Sequence, residues 1–140
     1  MKSTLVLKAK EEGFGFTVDL PYGQLHISSD EQHGFRPYQL LAASVAACSG
    51  STLRKILHKQ RQPIDDMRIV TEVIRKDEGA QEIEILHIHF EIYGSQLNRS
   101  KIEKALELTR KYCSMVQSVN KNIHITESYQ LLFPNQQVQP

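Results

Sequence analysis

Neither sign of charge dominates this sequence. Its 17 lysines and arginines stand against 16 aspartates and glutamates, leaving a formal charge of +1. That balance gives no electrostatic reason to expect nucleic acid or an anionic membrane as a partner. Long hydrophobic runs are also missing. The opening MKSTLVLKAKEEGFGF never builds the apolar core of a signal peptide, and no stretch reaches the ~18 apolar residues of a bilayer span. A cytoplasmic protein with a small molecule or another protein as partner is therefore expected. Cysteine is scarce, with Cys48 and Cys113 alone and no CxxC pair. Two cysteines do not make a zinc site by themselves. In a reducing compartment they do not serve as a permanent staple either, so any pairing between them is expected to be transient and catalytic or sensory. There is no repeat and no low-complexity linker, and 140 residues with 40% hydrophobic content suit one domain, expected over residues 1–133 with 134–140 as a tail.

What is present reads as an α+β chain. Thr4 to Lys8, Phe14 to Leu20 and Gln24 to Ser28 form a strand meander broken by Glu-Gly and Pro-Tyr-Gly turn signals. Pro37 suits the first turn of a helix that runs through YQLLAASVAACSGSTLRKILHKQ until Gln62-Pro63 stops it. From Leu40 to Cys48 this helix is apolar almost all round, the mark of burial on more than one side. Farther on, Leu53, Ile56 and Leu57 face away from Arg54, Lys55 and Lys59. Strands are expected at Met67 to Arg75 and Glu82 to Tyr93, joined by a hairpin loop at Lys76 to Gly79. In the second, the apolar parity changes between Ile85 and Leu86, which requires either a bulge or a strand whose ends are buried on opposite faces. Ser100 and Glu103 fit a capping box for a helix that buries Ile102, Ala105, Leu106 and Thr109 and ends near Tyr112-Cys113. A strand from Ile123 to Leu132 closes the order.

Cys48 lies in a row with Ser44 and Thr52, one turn to either side, on an otherwise apolar helix. It is either a small residue packed among alanines or a nucleophile in an apolar pocket. Cys113 falls on the buried face of its helix, three turns after Ile102. Ser114 with Gln117 caps a further short helix, which sets Cys113 just before a helix N-terminus, a location that stabilises a thiolate. His87 and His89, two apart on a strand, meet a metal only if a third ligand approaches. Alternating with Glu82, Glu84 and Glu91, they read instead as a solvated or edge face, and no metal is expected. His58, His124 and Tyr129 read as surface or interface residues. Arg54, Lys55, His58, Lys59 and Arg61 form a basic cluster that, as the solvated face of an amphipathic helix, needs no partner.

The stretch GFRPYQLLAASVAACSGSTL, followed around the second cysteine by RKYCSMVQSVNKNIHITESYQL, resembles the OsmC/Ohr superfamily, the osmotically inducible and organic-hydroperoxide-resistance proteins. Gly34 and Pro37 precede a Leu40-Leu41-Ala42-Ala43 helix, small residues lead up to Cys48, and a strand from Asn122 to Tyr129 closes the pattern. The resemblance implies antiparallel sheets wrapped around two long central helices in an intertwined homodimer, with sites at the subunit interface and no cofactor. It implies further that Cys48 is a peroxidatic thiol and Cys113 the resolving one, acting on a small-molecule oxidant with an external dithiol as reductant. Ser44, Thr52, Arg36 and Gln39 are the supporting or pocket residues. Family members hold the thiolate with an N-terminal arginine and a glutamate about ten residues before the cysteine. Here no arginine precedes Arg36, and Tyr38 and Gln39 stand near the glutamate's place. Without a cation, apolar surroundings are expected to raise the Cys48 pKa, leaving Arg36, Arg54 or a partner-subunit residue to compensate. The alternative is a non-catalytic dimer that binds a small apolar or thiol-reactive ligand in its interface pocket.

Overall fold

The computed structural model describes residues 1–133, so the expected tail at 134–140 lies outside the described residues. The chain divides into two compact units, Met1–Leu41 and a second that begins at Ala42.

In the first unit, β1 (Leu7–Ala9), β2 (Phe16–Asp19) and β3 (Gln24–Ile27) form an antiparallel meander in that order. Strict alternation builds it. The pairs Leu7 with Val18, Ala9 with Phe16, Val18 with Leu25 and Phe16 with Ile27 put six apolar side chains on one face, with Lys8, Thr17, Asp19, Gln24 and His26 on the other. The strands are shorter than the sequence suggests. Gly13 and Phe14 take φ values of 70° and 51°, a left-handed bend that no strand accommodates, so β2 begins only at Phe16. Beyond β3 the chain folds back, with Phe35 N–H donating to the His26 carbonyl (2.8 Å) and Ser28 N–H to the Phe35 carbonyl (3.1 Å). Gly34 permits this approach, because a Cβ there would meet the His26 carbonyl oxygen at 2.7 Å.

α1 (Pro37–Lys59) runs from the first unit into the second. Its end is a Schellman cap: Arg61 N–H donates to the His58 carbonyl and Gln62 N–H to the Leu57 carbonyl, with Arg61 left-handed at φ 55° and Pro63 barring continuation. By length and composition α1 is the one helix among the described residues that meets the minimum for a membrane span, contrary to the reading of the bare sequence. Its Val45, Leu53 and Leu57 are fully buried within the protein. Burial is one-sided, however. Ala43, Ser44, Ala47 and Ser51 are exposed, so the burial on more than one side expected from Leu40 to Cys48 is not met within the single chain.

The second unit is built on β4 (Asp66–Arg75), β5 (Ile83–Tyr93) and β6 (His124–Leu132), with β5 in the middle. β4 and β5 pair antiparallel from Asp66 with Tyr93 to Ile74 with Ile85, and then Arg75 pairs with Ile83. The residue skipped is Glu84, so a bulge accounts for the parity change. It leaves Ile83, Leu86, Ile88, Phe90 and Ile92 all buried. β6 runs parallel to β5, from Ile85 with His124 to Tyr93 with Leu132, where antiparallel sheets were expected. The reason is connectivity: α2 (Arg99–Tyr112) and α3 (Ser114–Val119) form a crossover that returns the chain to the starting end of β5. α2 is capped by Asn98, whose Oδ1 accepts from Lys101 N–H at 3.2 Å and from the Ser100 hydroxyl at 2.7 Å. Ser100 therefore supports the cap and does not form it, since Asn98 comes first and is at least as strong a capping residue. The core joins Val45, Leu53 and Leu57 of α1 to β5, Ile102, Ala105 and Thr109 of α2, Val116 of α3, and Ile125 and Leu132 of β6. A Cβ at Gly50 would run into the Ile69 side chain, so glycine lets α1 lie close to β4.

Candidate functional site

Two helices meet at Cys113. Its backbone is extended (φ −69°, ψ 111°). Its N–H donates to the Thr109 carbonyl at 2.8 Å, closing α2, and its carbonyl accepts from Gln117 N–H at 3.0 Å, opening α3. The first amides of a helix have no partner within it, and here they are spent on the other cysteine. Cys48, half-buried on α1, holds its thiol below the usual range chiefly because Met115 N–H donates to its sulfur. Burial opposes this, while the Cys113 thiol, the Ser114 hydroxyl and Ser114 N–H add to it. The Cys48 Sγ to Ser114 Oγ distance is 3.7 Å. Cys113 is fully buried, and burial pushes its thiol up. Val116 N–H offsets this in part, and donation to Cys48 together with that sulfur's charge raises it further.

Two expectations are thereby corrected. Apolar surroundings do not raise the Cys48 pKa, because peptide dipoles at the start of α3 supply what a cation would have supplied. The same helix start does not favour a thiolate at Cys113, because the residue at the cap is buried and its thiol is engaged as a donor. Both thiols are free, and the arrangement is an acidified, partly accessible sulfur hydrogen-bonded by a neutral one.

The other candidates fall in different places. The Thr52 hydroxyl donates to the Cys48 carbonyl at 2.9 Å, so it braces the helix backbone and not the sulfur. Ser44 is exposed one turn earlier on α1. Arg36 and Gln39 belong to the first unit. The Arg36 guanidinium lies 4.9 Å from the centre of the Tyr38 ring, with its buried Nε finding no acceptor among the described residues. Gln39 N–H donates to the Arg36 carbonyl in the first turn of α1. Ser114 and the Met115 amide were missed. The sequence placed their helix but not its cap: Cys113 and not Ser114 is the N-cap, without a side-chain cap hydrogen bond, and Gln117 Nε2 donates to the Arg110 carbonyl; only packing brings the helix start to Cys48.

His87 and His89 lie on the central strand, not an edge. His87 Nδ1 is 2.6 Å from Thr126 Oγ1 and its Nε2 2.9 Å from Ser128 Oγ, while His89 Nδ1 is 2.6 Å from the same Ser128 oxygen. Cross-strand hydroxyls thus engage both imidazoles, and among the described residues no group of three His, Cys, Asp or Glu is arranged to hold a metal. Tyr129 donates to Glu103 (2.7 Å) and accepts from Arg99 (2.9 Å), tying β6 to α2. Burial raises the nearby Glu127 carboxyl despite Arg110 beside it. A cavity of about 350 Å³ opens beside Ala47 and Ser51 of α1, with Arg54, Asp65, Asp66 and Met67 among its walls; Cys48 does not line it.

Residues 29–128 match the family described as OsmC-like protein. Protein YhfA from Escherichia coli strain K12 is 27% identical over 97 residues, which cover 69% of this chain and 72% of that protein. Among solved structures, a hypothetical protein from Aquifex aeolicus VF5 superposes with a TM-score of 0.85 at 24% identity, covering 96% of this chain and 100% of the other. An organic hydroperoxide resistance protein, OsmC, from Legionella pneumophila superposes with a TM-score of 0.66 at 20% identity, covering 91% and 97%. These likenesses establish the α+β fold, and residues 29–128 include both cysteines.

Proposed function

Starting from the fact that the chain belongs to the OsmC-like protein family, we propose that it is a cytoplasmic thiol redox protein that reduces organic hydroperoxides with Cys48 as the attacking thiol and Cys113 as the resolving one. The Cys48 thiolate attacks the outer peroxide oxygen and the O–O bond breaks. The alkoxide takes a proton from water and leaves as the alcohol, and Cys48 becomes a sulfenic acid. The Cys113 sulfur then attacks Cys48. A disulfide forms, and the sulfenic hydroxyl leaves as water with the Cys113 proton. An external dithiol exchanges with the disulfide, restores both thiols and departs oxidised.

The observation that carries this reading is the asymmetry of the pair. Cys48 is lowered by Met115 N–H and is partly accessible, while Cys113 is buried, raised and already hydrogen-bonded to it. Attack needs the first property. Resolution before further oxidation needs the second thiol in contact. The Legionella protein of the same fold is named for organic hydroperoxide resistance, which fits the substrate class.

The working form in this proposal is a homodimer. Its support is apolar surface left open in the single chain: Leu7 and Phe16 on the apolar face of the first sheet are 48% and 44% exposed, and α1 presents exposed Ala43, Ala47 and Ser51 in a row. A second reading, a dimer that binds an apolar or thiol-reactive ligand without turnover, draws on the open α1 face at Ala43 and Ala47, next to the half-buried Cys48.

Thiol titration under anaerobic conditions, before and after one equivalent of cumene hydroperoxide, separates the two. Rapid loss of both thiols, with a Cys48-to-Cys113 disulfide located by mass spectrometry, is expected. Survival of both thiols overturns the peroxidase reading and leaves the binding one.

A further inference from the structure

The basic cluster at the end of α1 has a setting that its sequence did not announce. Arg54, Lys55, His58 and Lys59 recur at three- and four-residue spacings, so their side chains share one strip of the helix. They line a groove of about 640 Å³ together with Gln62 and Ile64, within the size range of small-molecule sites. Among the described residues no carboxylate lies within ion-pair distance of Arg54, Lys55 or Lys59. Cations in a last helical turn are explained by the helix dipole, which covers His58 and Lys59. It does not cover Arg54 and Lys55, a turn earlier.

Gln62 provides the independent observation. It is 7% exposed and lines the groove. Its Oε1 accepts from Asn98 N–H at 2.7 Å. A backbone donor fixes which end of the amide is oxygen, so Nε2 is the end left over, and it has no acceptor among the described residues. Gln62 Nε2 is not among the buried side-chain atoms left without a partner, so this free donor is reachable, and Gln62 lines the groove, where a ligand oxygen can accept from it.

We propose that this groove binds a small molecule carrying a phosphate monoester, with the anion held by Lys55, Lys59 and the Gln62 amide and its organic body lying on Pro63 and Ile64. The anionic end belongs on the Lys55–Lys59 side, because Asp65 and Asp66 line the adjoining cavity on the Arg54 side. A dianion suits the site because Lys55 and Lys59, one helical turn apart, and the Gln62 amide all line the groove, so two cations and a neutral donor can each engage an oxygen of its own. The site uses neither cysteine and stands apart from the redox reading.

Isothermal titration calorimetry of the full chain at low ionic strength, with inorganic phosphate and with AMP as probes, tests it. The expected result is saturable binding of AMP at one site per chain, with inorganic phosphate, of similar charge but lacking the body, weaker. Lys55→Gln and Lys59→Gln should each weaken AMP by about tenfold or more, the loss of a charge-assisted hydrogen bond. Gln62→Glu, which keeps the acceptor for Asn98 N–H while replacing the donor with a negative charge, should abolish binding with the folded circular dichroism spectrum intact. Cys48→Ser should change nothing. Absence of saturable heat with either probe, or equal affinity across the Lys55, Lys59 and Gln62 variants, overturns the site. Equal affinity for phosphate and AMP overturns the seat for an organic body.

Discussion

The first unit and the second each carry a three-stranded sheet but end in different states. In the first, six apolar side chains share one sheet face, yet among the described residues of that unit Val18 is the only buried hydrophobic, while Leu7, Phe14, Phe16, Tyr22 and Phe35 are exposed. In the second, Leu86, Ile88, Phe90 and Ile92 of one strand are all fully buried beneath two helices. A three-stranded sheet of three- and four-residue strands encloses little on its own, whereas strands of nine to eleven residues under α1 and α2 close a core. The difference teaches that an amphipathic pattern specifies a face and not what covers it.

The largest effect that sharpens this contrast is expected at Phe90. Phe90→Ala removes a fully buried ring and should cost about 3–5 kcal/mol in urea unfolding, whereas Phe14→Ser, at a fully exposed ring, should stay within about 0.5 kcal/mol. Comparable losses at the two positions would break the comparison. Next comes the open face itself. If a second chain covers it, Leu7→Glu combined with Phe16→Glu should lower the dimer association constant by at least about a hundredfold in sedimentation, through the lost apolar burial and the buried charge. An unchanged association would remove the first sheet from the interface.

Within the second unit the contrast narrows to the two thiols. A lowered pKa leaves more thiolate at a given pH and a raised one leaves less. Iodoacetamide should therefore modify Cys48 in the Cys113→Ser variant with a half-maximal pH below that of free cysteine, and Cys113 in Cys48→Ser above it, with rates at neutral pH differing by about tenfold or more. Mass spectrometry of each variant across pH reads this directly, and coincident profiles would contradict the geometry. Smaller still, Asn98→Ala should destabilise by about 1 kcal/mol, the usual loss of an N-cap, against a few tenths for Ser100→Ala. Equal effects would restore Ser100 as the cap. Ser114→Ala, removing one of several donors to Cys48, should raise its half-maximal pH by no more than a few tenths.

Much of the fold was legible because the signals are local. The Gln62-Pro63 stop, the long apolar start of α1 and the helical face of Ile102, Ala105 and Thr109 each depend on residues within a few turns of one another. The parity change in β5 announced an irregularity, and it took the pairing with β4 to put the bulge at Glu84. Asn98 was passed over because a two-residue shift leaves the Ser100–Glu103 pattern looking equally valid. The cysteines were the right residues to single out, but the sequence assigned the helix start to the wrong one: adjacency along the chain favoured Cys113, and adjacency in space favours Cys48.

By itself the sequence determined the element types, their order and the burial of Cys113, since periods of two and 3.6 residues and capping signals act over short spans. Tertiary structure decided that β6 runs parallel to β5, because a helical crossover can deliver a strand in that direction only by how it packs. It also decided that Ser114 and Met115 N–H reach a thiol 66 and 67 positions away, because a hydrogen bond depends on position in three dimensions and no local pattern encodes the approach of two helices.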